Sequence, residues 1–167
     1  MAEKEKPLRC FIDTKDFMTP DDYIQMIPEY CAKTGQFIPQ TDSEIARCVF
    51  DSLAMKYKQT YLSLKRHMND TEKIYIVGGG VNNHLMNQLT ADALGICVMT
   101  GPSEATIVGN LIVQMESLGE INGRNEAIDI INFSFDNHTY EPKDFDLWNE
   151  AYIEYQRLFS KEGLFFS

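Results

Sequence analysis

The sequence predicts a helix-rich α/β domain organised on a short parallel βαβ unit, and three observations carry that prediction. Two brief apolar runs, KIYIV at residues 73–77 and ICVM at residues 96–99, have the length and β-branched content of buried strands. Each is followed by a stretch with helical spacing of its apolar residues, and glycine or proline separates strand from helix at both places. At 167 residues and 44% hydrophobic, the chain is long enough for one core and short for two.

Taken in order, residues 1–18 show no steady period and read as an extended lead-in to one domain covering residues 19–167. TPDDY follows, with Thr19 as a helix N-cap, Pro20 at the first helical position and Asp21 and Asp22 in the first turn. Because proline removes a donor and crowds the preceding turn, Pro28 predicts two short helices, 21–26 and 28–34, stopping at Gly35. TDSE at residues 41–44 is a capping box opening the longest helical pattern. Its predicted buried face is Ile45, Cys48, Val49, Leu53, Tyr57, Tyr61, Leu64 and Met68.

KIYIV is then a strand expected to be covered on both faces, and a helix over 83–94 closes at Gly95. After ICVM, the TGPSEA turn places Ser103 as the N-cap of a helix carrying Ile107, Leu111, Ile112, Met115 and Leu118. Gly109 inside it would mark a close approach to a neighbouring element. A further amphipathic helix spans 124–133, and a loop surrounds Pro142. The last helix bears Phe145, Trp148, Tyr152 and Tyr155, which cap the core. Two parallel strands are a thin sheet, so their edges invite a second chain or another part of the same fold. On that ground the chain reads as incomplete, and a homo-oligomer through the sheet edge is a possible partner arrangement.

The net charge of −10 and pI near 4.7 disfavour nucleic acid and acidic membrane surfaces as partners. A small anion held by backbone N–H groups or by a metal remains compatible. No stretch approaches the roughly 18 apolar residues of a membrane span. The charged start MAEKEKPLRC lacks the apolar run of a secretory signal, which predicts a cytoplasmic location. Cys10, Cys31, Cys48 and Cys97 include no C-x-x-C pair, and with three histidines they offer no zinc spacing. They read as reduced, mostly buried small apolar residues, with a Cys31–Cys48 bridge left open. His67, His84 and His138 read as surface or capping residues and Asp92 as structural, and no residue is assigned a catalytic role.

The three consecutive glycines, Gly78, Gly79 and Gly80, are the strongest local signal. A phosphate loop needs Gly-Lys-Ser/Thr, and no glycine here precedes lysine. A dinucleotide fingerprint would use Gly78 and Gly80, but Asn83 stands at its third glycine and the second strand ends VMTG without a ribose-binding acid. A nucleophile elbow fails at Ala105 in GPSEA. Two readings stand: an adenosine-binding turn, where bare main chain admits a purine or ribose and the Asn83 amide grips it, or a plain tight corner with Asn82 or Asn83 capping the helix.

Residues 74–110, IYIVGGGVNNHLMNQLTADALGICVMTGPSEATIVGN, resemble the C-terminal nucleotide-binding region of the FGGY carbohydrate kinases, in their rhamnulokinase branch. FIDTKDF at 11–17, PEYCAKTGQFIPQTDSEIARCVFDSLAMKYK at 28–58 and YEP at 140–142 extend that resemblance in the same order. The resemblance implies part of an actin-like, ribonuclease H-like ATPase domain, namely a truncated C-terminal lobe. It implies ATP and Mg²⁺ as cofactors of the complete enzyme and a ketose, L-rhamnulose, as phosphoryl acceptor. Gly78, Gly79, Gly80 and Asn83 fall on the family's nucleotide-contacting turn, while Glu104 and Gly109 support helix packing. The family's catalytic aspartate and sugar pocket have no counterpart here, so the chain alone should be inactive. A non-catalytic, oligomerising module is the competing reading, and a NAD-dependent oxidoreductase a distant third.

Overall fold

A computed structural model describes residues 1–13, 17, 22–67 and 71–160. Six helices surround a small mixed sheet: α1 (Tyr23–Lys33), α2 (Asp42–Lys65), β1 (Lys73–Ile76), α3 (His84–Leu94), β2 (Cys97–Thr100), α4 (Ala105–Ser117), α5 (Arg124–Ser134), β3 (Thr139–Tyr140) and α6 (Phe145–Ser160). β1 and β2 pair in parallel, Lys73 opposite Cys97 through Ile76 opposite Thr100, with α3 as the crossover. This is the predicted βαβ unit.

β3 is an addition to it. Thr139 and Tyr140 pair antiparallel with Met99 and Val98, which makes β2 the central strand. The Thr100 N–H donates to the His138 carbonyl at 2.9 Å, and the Thr100 hydroxyl accepts from the His138 N–H at 2.8 Å. Two residues are too few to show an alternating pattern, so the segment reads from sequence only as loop.

Local signals hold where a single residue decides the backbone. Thr41 caps α2 by accepting from the Glu44 N–H at 3.2 Å, and the Glu44 carboxylate reaches back to the Gln40 N–H at 2.8 Å. Gly95 ends α3 in the left-handed conformation (φ +68°).

Several expectations need correction. Pro28 does not divide its segment. α1 runs unbroken through it, because the one donor lost would have met the Ile24 carbonyl, and Ile24 lies open to water. The cap of α1 is Asp22, which accepts from the Gln25 N–H; Thr19 and Pro20 lie outside the described residues, as does Met68. Ser103 does not cap α4, whose N-cap is Glu104 and carries no side-chain capping bond. Tyr57 and Leu64 on α2 are exposed, and β1 is not covered on both faces, with Tyr75 59% exposed. A Cβ on Gly109 would meet nothing within 4 Å, so that glycine marks no close approach.

The main core joins α2, α3 and α6. Ala54, Met55 and Tyr61 of α2 meet Met86, Leu89 and Ala93 of α3, and Trp148, Tyr152, Tyr155 and Phe159 of α6 close the space. The last aromatics therefore build the core instead of capping it. Phe11 joins the same cluster and meets Tyr155 edge-on, with ring centres 5.5 Å apart. A second core lies between the N-terminal segment, α1 and α2, where Ile12, Ile27 and Ile45 pack with Cys10, Cys31 and Cys48.

The N-terminal segment is pinned by side chains of α2 and the α1–α2 loop. The Leu8 N–H donates to Asp51 at 2.6 Å, the Ile12 N–H to the Ser52 hydroxyl at 3.0 Å, and the Gln36 amide both accepts from the Phe11 N–H and donates to the Phe11 carbonyl. Asp51 is buried and ion-paired to Arg47 at 2.8 Å. Burial raises its pKa, and the Arg47 charge opposes the rise.

Candidate functional site

The chain leaves β1 through Val77 in an extended conformation and enters a 3-10 turn over Gly78–Asn82, after which Asn83 caps α3. Gly78 sits at φ +78°, a conformation that only glycine adopts without cost. Two backbone hydrogen bonds stitch this corner to the turn after β2. The Gly78 N–H donates to the Pro102 carbonyl at 3.0 Å, and the Gly101 N–H to the Ile76 carbonyl at 2.8 Å.

The three glycines do different things. Gly78 supplies the backbone twist. At Gly80 an added Cβ would touch the Ile76 side chain at 3.5 Å, an ordinary contact. At Gly79 an added Cβ would meet nothing within 4 Å, so that position presents bare main chain to open space.

Asn83 acts through one end of its amide. Its Oδ1 accepts from the Met86 N–H at 3.0 Å, the N-cap bond, while its exposed Nδ2 has no partner among the described residues. The structure thus brings Gly78, Gly79, Gly80 and Asn83 together on one exposed corner at the N-terminus of α3. The cap does not exclude a ligand role, since the amide still offers a donor.

Asn87 is a supporting residue that spacing did not reveal. It is buried, and its Nδ2 donates to the Val81 carbonyl at 3.0 Å, holding the turn from beneath. The available signal was its place one helical turn after Asn83 on the inward face. The histidines are also less scattered than their sequence positions suggest. His84 Nδ1 lies 2.6 Å from the Tyr140 hydroxyl, and the His84 and His138 rings meet edge-on with centres 5.2 Å apart. This cluster ties the start of α3 to β3. Asp92 is structural, as expected: it accepts from the Gln88 side chain and from the Lys143 N–H, both at 2.9 Å.

A separate grouping of reactive side chains lies in the second core. The sulfurs of Cys10, Cys31 and Cys48 all lie within 4.8 Å of one another, with no disulfide among them. Hydrogen bonds from Cys10 and Cys48 lower the Cys31 thiol to about 4, and the bond to Cys31 raises Cys10 to about 12. Cys48 is raised by hydrogen bonds with Cys10 and Cys31 and by burial. Cys97 stands apart on β2.

Residues 5–118 match the model of the FGGY family of carbohydrate kinases, C-terminal domain, a stretch that contains the whole glycine corner. The chain is 39% identical over 158 residues to a rhamnulokinase of Bacteroides thetaiotaomicron, covering 93% of this chain and 33% of that protein. It is 43% identical over 140 residues to a rhamnulokinase of Oceanobacillus iheyensis, covering 82% of this chain and 30% of the relative. The chain therefore spans about a third of the length of these curated relatives. Among solved structures, a ligand-bound xylulose kinase from Lactobacillus acidophilus superposes with a TM-score of 0.62 at 16% identity, over 77% of this chain and 27% of that one. That likeness reports the fold. With the family model matching well over half of its residues, this chain belongs to the FGGY family of carbohydrate kinases.

Proposed function

We propose that the corner at Gly78–Asn83 receives the adenosine part of ATP or ADP in a sugar kinase of the rhamnulokinase type. The observation that carries this reading is the open main chain at Gly79 beside the exposed Asn83 Nδ2. A flat purine or a ribose can lie against backbone that has no Cβ, and the amide donates to an acceptor on the nucleoside edge. The residues present fit that group: the corner is braced at Gly78 and Gly101 and needs no rearrangement to be approached.

Mg²⁺ travels with the triphosphate in this proposal, since no cluster of three carboxylate or histidine ligands stands at the corner among the described residues. Joined to the rest of the kinase fold, the nucleotide would pass its γ-phosphoryl group to a hydroxyl of L-rhamnulose, as the names of the relatives suggest. In this reading the chain supplies nucleotide positioning and the rest of the kinase fold supplies the base for the hydroxyl, so the chain by itself should not turn over sugar. No helix among the described residues is long and apolar enough to cross a membrane.

Isothermal titration of the 167-residue chain with Mg·ATP and Mg·ADP tests the reading. Binding is expected, and Gly79→Val should abolish it while leaving the melting temperature little changed, because a Cβ added there meets no heavy atom within 4 Å. Equal nucleotide affinity in wild type, Gly79→Val and Asn83→Ala would falsify the placement. A second reading, an oligomerising module without nucleotide affinity, draws on the exposed apolar surface of α4. Sedimentation showing a stable dimer, together with no heat on nucleotide addition, would favour it.

A further inference from the structure

We propose that Cys10, Cys31 and Cys48 form a three-sulfur site for a soft monovalent d¹⁰ cation of the copper(I) class. Three of the chain's four cysteines meet here from three separate segments: the N-terminal segment, α1 and α2. All three are buried, at 3%, 0% and 2% exposure, within a wall of Ile12, Ile27 and Ile45.

The spacing suits a trigonal ion. With metal–sulfur bonds of about 2.3 Å, three sulfurs around a planar centre stand about 4.0 Å apart. The observed triangle, no side longer than 4.8 Å, needs to tighten by less than an ångström of order to reach that. Ligand chemistry then selects the ion. Zinc in a closed site takes four ligands, and no histidine, aspartate or glutamate completes the group among the described residues. Thiolates alone in a three-coordinate array favour copper(I).

The sulfurs are held before any ion arrives. Cys10 lies between Leu8 and Ile12, whose N–H groups are fixed to Asp51 and Ser52. The Cys31 carbonyl accepts from the Gln36 N–H at 2.9 Å, and the Cys48 carbonyl from the Ser52 hydroxyl at 2.6 Å. An entry path exists, because Cys10 and Cys48 also line a narrow crevice whose walls include Lys6, Arg9 and Arg47. Glu5, Glu44 and Asp51 line the same crevice, with Arg9 paired to Glu44 and Arg47 to Asp51, so its walls are close to charge-balanced and a monovalent ion meets no net cationic barrier. On binding, each thiol that still carries a proton releases it to solvent as its metal–sulfur bond forms, and no electron moves because the ion enters as copper(I).

The test is anaerobic titration of the phosphine-reduced full chain with copper(I) against a colorimetric copper(I) chelator, followed by X-ray absorption at the copper edge. One copper per chain, a first shell of three sulfurs and a melting temperature that climbs with copper concentration are expected. Cys97→Ser should behave as wild type, and Cys10→Ser should lose about tenfold or more in affinity. Should Cys10→Ser fold poorly, the sulfur count in the wild-type spectrum still decides. Copper removed completely by the chelator, a shell with fewer than three sulfurs, wild-type copper retention in Cys10→Ser or Cys31→Ser, or a disulfide mapped between any two of the three in freshly isolated chain would each overturn the proposal.

Discussion

Helices α4 and α6 invert the usual relation between composition and burial. α6, Phe145–Ser160, carries acids along much of its length and yet sinks Trp148, Tyr152, Tyr155 and Phe159 into the main core. α4, Ala105–Ser117, is the more apolar of the two and has no fully buried residue, with Ile107 65% and Val113 61% exposed. Burial follows from what stands opposite a helix. α6 faces α2 and α3, whereas the outer surface of α4 has no facing element among the described residues. Exposed apolar surface of this kind is the usual mark of an interaction site, and α4 presents Ile107, Leu111 and Val113 to solvent. The glycine corner is bonded to the loop leading into α4, through Pro102 and Gly101.

The contrast breaks first if α6 is not what secures the domain. Trp148 is 2% exposed and joins the main core, so Trp148→Ala should cost about 3–5 kcal/mol in urea unfolding. A loss under about 1 kcal/mol would mean that the aromatic helix is laid on the core and not part of it.

Gly95 tests the connection between the two regions, because it turns the chain from α3 into β2. Its left-handed backbone makes Gly95→Ala cost about 1–2 kcal/mol, and the new Cβ would also collide with the Phe145 ring at the start of α6. Phe145 is exposed enough to swing away, so Phe145→Ala should restore little of the loss. Full rescue by that second change would assign the cost to the collision and not to the backbone.

Lys58 sharpens the comparison through pH. It is buried at the α2–α6 boundary, donates to the Asn149 side chain at 2.5 Å and lies 5.0 Å from the centre of the Phe145 ring. Burial lowers its pKa to about 8. Between that value and the ordinary lysine range, the unfolded chain holds a proton that the native chain has released, so stability attributable to Lys58 rises as pH increases through this window. The stability difference between wild type and Lys58→Met should therefore move in favour of wild type from pH 8 upward. A flat difference curve would place the ammonium in water.

The features legible in sequence are those fixed by one residue acting on its own backbone. Thr41 as a cap, Gly95 as a stop and the bare corner at Gly78–Gly80 belong to this class, since their consequences are local. What escaped depends on partners far away along the chain. The meeting of Cys10, Cys31 and Cys48, the support of the corner by Asn87, and the His84–Tyr140 contact all require the tertiary fold. β3 exists only because β2 offers it an edge, and the two-sided burial expected of β1 needs an element over the face that bears Tyr75. Pro28 shows a different limit: proline's cost falls where its lost acceptor can reach water, which spacing alone does not state.

The smallest expected effect bears most directly on α4. Ile107→Asp and Val113→Asp change large exposed side chains with no buried neighbour to lose, so each should alter unfolding free energy by no more than about 0.5 kcal/mol. The same pair should raise solubility and, if copies of the chain associate through this face, shift sedimentation toward the monomer. A loss of 2 kcal/mol or more would show that α4 is packed in solution, by another copy or by a rearranged α5. Burial would then follow composition after all, and the exposed helix would cease to be a surface held ready for a partner.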